Sequence, residues 1–293
     1  MKRARANSFR LAGRSIGLAL VAAALAACTT TGGSFVELEQ VDPDIGSTGN
    51  IASLTDVIRD NPTDAAAYNT RGSAYGSAGR LRTALEDFNK AIEIDSNFYQ
   101  AYANRALIHR ANGATDLALA DYNKAIEINS SYDVAYTGIG NIYREQGNAP
   151  KALEYYNKAI GVGTTDPRAF HNRGLLFQAN QRHNEAIDDF STAISLAPRE
   201  SEPWNGRGAS YLAIGNTKGA LVDFNEALRR DRKSHTAWTN RGFAHEILGE
   251  RRAAKQAYER ALSIKQGHRP AADGLKRVGG PIDQTKTKVG SNG

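Results

Sequence analysis

Small and aromatic residues recur every 34 residues between Ala65 and His268, without an insertion over six units. The fourth and twenty-fourth positions of each unit are aromatic, and the twentieth and twenty-seventh are alanine. The fourth-position residues are Tyr68, Tyr102, Tyr136, Phe170, Trp204 and Trp238. The twenty-fourth-position residues are Phe88, Tyr122, Tyr156, Phe190, Phe224 and Tyr258. A fixed period of this length indicates a protein built from stacked repeats.

Each unit predicts two helices, A and B, joined by a short turn. Glycine occupies the fifteenth position in five units, and Gln181 takes its place in the fourth. Glycine commonly ends a helix because it adopts the left-handed conformation without steric cost. A helix pair this short cannot bury its apolar face alone, so the units are expected to stack into one elongated solenoid.

This pattern resembles the tetratricopeptide repeat (TPR), which has aromatic, glycine and alanine residues at the same spacing. The resemblance implies an all-α, right-handed superhelical solenoid of six helix pairs. Units one to six are residues 65–98, 99–132, 133–166, 167–200, 201–234 and 235–268. A capping helix is predicted at 51–64, a closing helix at 269–278 and a disordered tail at 279–293.

The first 28 residues predict an export signal. Residues 1–27 carry five basic residues and no acid, followed by an apolar run from Ile16 to Ala27 that is too short to span a bilayer. The run ends in Leu-Ala-Ala before Cys28, which resembles the lipobox of bacterial lipoproteins and implies acylation of Cys28. Residues 28–50 then read as a flexible tether. Thr29 favours the outer membrane, where the chain would face the periplasm; a plain cleaved signal is the alternative.

The positive charge of the whole chain resides largely in this signal. The formal charge is +6 for 293 residues, and removal of residues 1–27 lowers it to +1. A nearly neutral mature chain gives no electrostatic reason to expect nucleic-acid binding. The composition, with 41% hydrophobic and 23% charged residues, is that of a folded protein.

Arginine at the seventh position occurs together with aspartate at the twenty-third. Four units have both residues, unit three has Ile139 and Tyr155 instead, and unit six has Arg241 with Ala257. Loss of both residues together in unit three favours an ion pair within each unit, joining helix A to helix B. Arg241 is then predicted to be unpaired. An anion-binding row of arginines is the less favoured interpretation.

Ligands of TPR proteins usually lie along the concave face formed by helix A, and each unit has one asparagine at its fifth, sixth or ninth position, all of which belong to this face. These residues are Asn69, Asn104, Asn141, Asn172, Asn205 and Asn240. Because an amide both donates and accepts hydrogen bonds, such a ladder is able to hold an extended peptide by its backbone. The alternative, which the sequence favours, is that asparagine is simply common at the sixth position of the repeat. Arg110 and Arg144 could add positive charge to this face, although solvated surface charge is the favoured interpretation of both.

Basic residues are concentrated near units five and six. From Arg229 to Gly293 the net charge is +9, against −8 from Cys28 to Leu228. The residues are Arg229, Arg230, Arg232, Lys233, Arg251 and Arg252. They predict either a solvated helix face or a basic end that docks an acidic partner, an anionic envelope polymer or a second copy of the chain.

Motifs for catalysis are not found in the sequence. The six histidines lack the spacing of metal ligands, no phosphate-binding loop is present, and the single cysteine is assigned to lipid attachment. The sequence therefore predicts a non-catalytic, lipid-anchored scaffold that binds proteins or peptides in the bacterial envelope, without a cofactor. A self-assembling structural protein and a pilotin-like assembly factor are the alternatives.

Overall fold

The computed structural model describes residues 46–279, and within that range every regular element is a helix. The predicted signal peptide 1–27, Cys28, most of the tether and the tail from residue 280 lie outside the described residues. The fourteen helices of the described range are α1 (Thr48–Asp60), α2 (Ala65–Ser77), α3 (Leu81–Ile94), α4 (Tyr99–Ala111), α5 (Thr115–Ile128), α6 (Asp133–Glu145), α7 (Ala149–Gly161), α8 (Pro167–Ala179), α9 (His183–Leu196), α10 (Glu202–Ala213), α11 (Thr217–Arg230), α12 (His235–Ile247), α13 (Arg251–Ile264) and α14 (Arg269–Val278).

The helices form six successive A–B pairs, from α2–α3 to α12–α13, which confirms the all-α superhelical fold. Each A helix packs against its own B helix and against the B helix of the preceding unit. Successive A helices also contact one another directly, which places them on the inner, concave side of the solenoid. α1 packs on α2 at one end, and α14 covers α12 and α13 at the other.

Helix α1 begins earlier than the sequence predicted. The tether was expected to extend to residue 50, whereas the helix begins at Thr48 and ends at Asp60. Ser47 explains the difference, because its hydroxyl accepts a hydrogen bond of 3.2 Å from the amide of Asn50 and so caps the first turn. Residues 61–64 form the connection to α2, where Asp64 caps the next helix.

The turn between helices A and B has the same backbone conformation in all six units. The glycines of the fifteenth position have φ between +73° and +84°, and Gln181 has φ +60°. Among the described residues Gln181 is the only non-glycine with positive φ. Unit four therefore forms the same turn as the other units although the Cβ atom of Gln181 makes this left-handed conformation sterically unfavourable.

The aromatic ring of the twenty-fourth position is the centre of each unit's core. All six of these rings are at most 2% exposed. Phe190 lies between Gly174 of its own unit and Gly206 of the next, and a Cβ atom built on Gly206 would be 2.7 Å from the ring. The glycines thus permit two A helices to approach one B-helix ring closely, which sets the spacing of the stack.

Candidate functional site

The predicted arginine–aspartate pairs are confirmed in all four units that have both residues. The distances between the guanidinium nitrogens and the carboxylate oxygens are 2.6 to 2.9 Å. The pairs are Arg71–Asp87, Arg105–Asp121, Arg173–Asp189 and Arg207–Asp223. Burial raises the pKa of the Asp189 carboxyl despite the opposing effect of Arg173. Because each of these arginines is paired with an aspartate of its own unit, the four do not form an anion-binding row.

Each of these arginines also contacts the preceding helix of the stack, which is α1 for Arg71 and helix B of the preceding unit for the other three, and the sequence interpretation missed this contact. Arg207 Nη1 donates to Ser191 Oγ at 3.1 Å, and Arg173 Nη1 donates to Asn157 Oδ1 at 2.7 Å. Both acceptors lie sixteen residues earlier, on the preceding B helix. The guanidinium therefore joins three helices, and the recurrence of a polar residue at the twenty-fifth position is the signal that would have shown it.

The six predicted asparagines form three pairs rather than a continuous ladder. Nδ2 of one amide donates to Oδ1 of the other in the preceding unit, over 2.8 to 3.0 Å. The pairs are Asn104 with Asn69, Asn172 with Asn141, and Asn240 with Asn205. Asn104, Asn172 and Asn240 are 68 residues apart, so the polar pattern of the concave face repeats every second unit.

The amides remain half-buried on the concave side, and each pair uses only part of its hydrogen-bonding capacity. The bond between Asn172 and Asn141 leaves Nδ2 of Asn141 and Oδ1 of Asn172 outside that bond. Asn141 Oδ1 also accepts from the Tyr156 hydroxyl at 2.7 Å. Each pair thus keeps one amide donor and one amide acceptor outside the bond between its two members, and these are the groups that can bind the C=O and N–H of a peptide.

Arg110 and Arg144 lie on the same face near the middle pair. Arg110 is half-buried, Arg144 is exposed, and neither has a carboxylate within salt-bridge distance among the described residues. Burial and the nearby Arg144 guanidinium lower the pKa of His171 to about 4, and burial raises the pKa of Tyr156 to about 12. Both rings are therefore neutral at pH 7, and the positive charge of this region belongs to the arginines.

The six basic residues near the C-terminal units do not form one basic end, which corrects the sequence interpretation. Arg229, Arg230, Arg232 and Lys233 lie where helix B of unit five meets unit six. Arg251 and Arg252 begin α13 at the opposite edge, separated by the length of α12, about 20 Å for thirteen residues. Arg229 and Arg230 are moreover both paired with Glu226.

Gln178 is a polar residue of the concave positions that the sequence interpretation overlooked. It is 6% exposed, and its Nε2 donates to the carbonyl of Gly206 and to Ser210 Oγ, both at 2.8 Å. This side chain therefore joins unit four to unit five. It occupies the same repeat position as Arg110 and Arg144, and no feature of the sequence distinguishes its structural role from theirs.

Between residues 46 and 279, no group of three or more histidine, cysteine or acidic side chains is arranged to hold a metal ion. The helices of the same range are also too short or too polar to cross a membrane.

Sequence models of the tetratricopeptide repeat match residues 65–98, 98–163, 171–235 and 235–268. No protein with a curated description matches the chain. The protein YrrB, described as a TPR protein with an unusual peptide-binding site, is 26% identical, with a TM-score of 0.57 over 66% of this chain and 99% of its own.

Two other solved structures show the same fold at lower identity. PilF of Pseudomonas aeruginosa is 18% identical, with a TM-score of 0.67 over 75% of this chain and 99% of its own. A subunit of the APC/C hetero-tetramer Cut9–Hcn1 is 20% identical, with a TM-score of 0.68 over 80% of the present chain. The present chain spans only 47% of the length of that subunit. From the repeat matches and the helix-pair stack together, the chain belongs to the tetratricopeptide repeat family, whose members are generally non-catalytic adaptors that mediate protein–protein interactions.

Proposed function

We propose that this protein is a non-catalytic scaffold that holds an extended segment of a partner protein along its concave face. Support comes from the family, whose members bind proteins or peptides, and from the similarity to YrrB with its peptide-binding site. The partner segment is expected to lie across the A helices, where the three asparagine pairs are found.

The observation that carries this proposal is the repeated amide pair. The donor residues of the three pairs recur every 68 residues, and the pairs present amide donors and acceptors along one face, with the acceptor residue at the fifth repeat position in two pairs and at the ninth in the middle pair. An extended peptide has the same alternation of N–H and C=O groups along its backbone. Backbone recognition of this kind selects for an extended conformation more than for a particular side-chain sequence, while Arg110 and Arg144 favour acidic side chains near the middle pair.

Photo-crosslinking in cells tests where the partner binds. A crosslinking amino acid at Asn172 or Asn205 is expected to capture a defined partner, because both positions lie on the concave face. The matched control position is Asn184, which is exposed near the start of helix B in unit four. Capture from the groove should disappear in a chain that also carries Asn104→Ala and Asn240→Ala. Equal capture of the same protein from Asn184 would contradict the groove assignment.

We further propose that this scaffold lies in the bacterial envelope, attached to the outer membrane by acyl chains on Cys28 and facing the periplasm. The support is the lipobox-like sequence that ends at the single cysteine of the chain. Two or more acyl chains are needed for stable attachment to a bilayer, and the lipoprotein modification supplies them. The chain is therefore expected to bring its partner to the membrane surface without crossing it.

Membrane fractionation tests the anchor separately from the groove. The wild-type protein is expected in the membrane fraction and the Cys28→Ala variant in the soluble periplasmic fraction. Thr29→Ala serves as the control, since it changes the neighbouring residue but keeps the thiol. Retention of the Cys28→Ala variant on washed membranes would refute the lipid anchor and leave the groove proposal untouched.

A further inference from the structure

Unit six lacks the aspartate that four other units place between helices A and B. Ala257 occupies this position and is fully buried. Its partner arginine is nevertheless present, and Arg241 Nε is buried without a hydrogen-bond partner among the described residues. The guanidinium lies 5.3 Å from the centre of the Trp238 ring, and burial lowers its pKa. Unit six thus retains the cation of the pair without the anion.

A second unpartnered nitrogen belongs to the same unit. His245 Nδ1 lies 2.6 Å from Glu250 Oε2, whereas its Nε2 is buried and has no hydrogen-bond partner in the described part of the chain. One ring nitrogen of His245 therefore has a hydrogen-bond partner, the Glu250 carboxylate, and the other has none. Buried polar groups without partners are uncommon in folded proteins and call for an explanation.

Unit two has the same arginine and histidine as unit six, together with the aspartate that unit six lacks. Arg105, His109 and Asp121 occupy the repeat positions of Arg241, His245 and Ala257, each 136 residues earlier. Arg105 binds the Asp121 carboxylate at 2.6 and 2.8 Å, and His109 Nε2 lies 3.8 Å from its Oδ2. In unit two, arginine and histidine thus converge on one carboxylate; in unit six, the same two residue types face an alanine.

The geometry points to a carboxylate-binding site in unit six, formed by Arg241 and His245 beside Ala257. Replacement of aspartate by alanine removes one carboxylate group from the side chain, and formate has the same size and charge as that group. The ligand class is a small carboxylate, either free or borne by an acidic side chain of a partner. Charge-assisted hydrogen bonds to a guanidinium are among the strongest that such a group forms.

The site differs from the proposed groove in both location and chemistry. The equivalent pair in unit two joins helix A to helix B, whereas the groove is formed by the concave side of the A helices. Arg207 and Asp223 fill the corresponding place in unit five, which leaves Arg241 as the unpaired seventh-position arginine of the described repeats. A carboxylate bound here would complete the pattern that the neighbouring unit builds from its own side chains.

Thermal unfolding in sodium formate, compared with sodium chloride of equal ionic strength, tests this site in the full chain. The wild-type protein is expected to gain a saturable increase of about 2 °C in Tm from formate, since a ligand that binds the folded state stabilises it. The Ala257→Asp variant supplies the carboxylate internally, so its Tm should rise in chloride and its specific response to formate should be lost.

Two further variants and a spectroscopic readout make the test specific. Arg241→Ile, which copies Ile139 of unit three, should also lose the formate response, while Arg252→Gln at an exposed position should retain it. In NMR spectra, formate should shift the ring signals of His245 in the wild type but not in Ala257→Asp. Should Arg241→Ile fail to fold, the comparison with Ala257→Asp decides alone.

An acetylated Gly-Asp-Gly amide, tested in parallel, distinguishes the source of the carboxylate. A response to both probes assigns the site to a carboxylate borne by a protein, and a response to formate alone assigns it to a free small carboxylate. Equal formate responses of the wild-type and Ala257→Asp chains, whether both shift or neither shifts, would overturn the proposal.

Discussion

Arg207 and Asp223 form a two-point contact across one repeat: Nε donates to Oδ2 at 2.8 Å and Nη2 donates to Oδ1 at 2.9 Å. The aspartate is 2% exposed, so its charge depends on the guanidinium for compensation. Because Arg207 also donates to Ser191, one side chain ties together both helices of unit five and the last helix of unit four. The same link recurs in units one, two and four.

Arg207→Ile alone is expected to destabilise the protein by about 3–5 kcal/mol, since it leaves a buried carboxylate without its partner. The double variant Arg207→Ile, Asp223→Tyr copies the apolar solution of unit three and should recover most of that loss. Urea unfolding of the wild type, both single variants and the double variant gives the coupling energy. Additive effects of the two changes would show that the pair is not energetically coupled.

Gly138→Ala is expected to destabilise the solenoid by about 1–3 kcal/mol, because the added methyl group overpacks the core. A Cβ atom at Gly138 would lie 2.3 Å from Cζ of Tyr122, a ring that is 2% exposed and has little room to move. Gly161→Ala is the matched control, since nothing lies within 4 Å of its Cβ position at the end of α7. The control should unfold at the same or slightly higher denaturant concentration, and a similar loss in both variants would contradict the packing argument.

Gln181→Gly is expected to stabilise the protein by about 0.5–1 kcal/mol. The left-handed conformation at φ +60° costs a side-chain-bearing residue about 1–2 kcal/mol, part of which the greater flexibility of unfolded glycine offsets. The reverse change, Gly215→Gln in unit five, should lower the stability by a similar amount. Thermal unfolding of the two variants measures both effects, and a loss of stability in Gln181→Gly would show that this side chain has another role.

The stability of the fold is expected to decrease as the pH falls from about 6.5 to about 4, in part because of His171. Burial and Arg144 hold its pKa at about 4 in the folded chain, below the ordinary value of 6.5, so the unfolded chain takes up the proton first. The contribution of neutral His171 to the free energy of unfolding is fully present above pH 6.5. About 2 kcal/mol of it is lost by pH 4.5.

His171→Asn, which copies Asn69 and Asn205 at the same repeat position, removes the titrating group. The free energy of unfolding of this variant should depend less on pH between 7 and 4.5 than that of the wild type. Parallel pH dependences would show that His171 is solvated and not responsible for the change.

The 34-residue period was enough to predict the helix pairs, the turn at the fifteenth position and the stacking of units. Periodic small and aromatic residues specify which faces must be buried, and these contacts lie within one repeat or between neighbours. The pairing of Arg173 with Asp189 also followed from sequence, because both residue types vanish together in unit three. The boundary of α1 at Thr48 did not follow, since a single serine cap determined it.

Relationships between units required the tertiary structure. The sequence showed one asparagine in each unit, but only the stacking of A helices determined that Asn104 bonds to Asn69 and that the pairs repeat every second unit. Charge counted along the chain suggested one basic end, whereas antiparallel helices carry Arg229 and Arg252 to opposite edges. Likewise, the sequence showed that Arg241 lacks its aspartate at Ala257, but only the equivalent contacts of unit two showed that His245 adds a second unpartnered nitrogen beside it. Periodicity defines each repeat locally, while the side chains that meet across repeats depend on how the rigid helices pack in three dimensions.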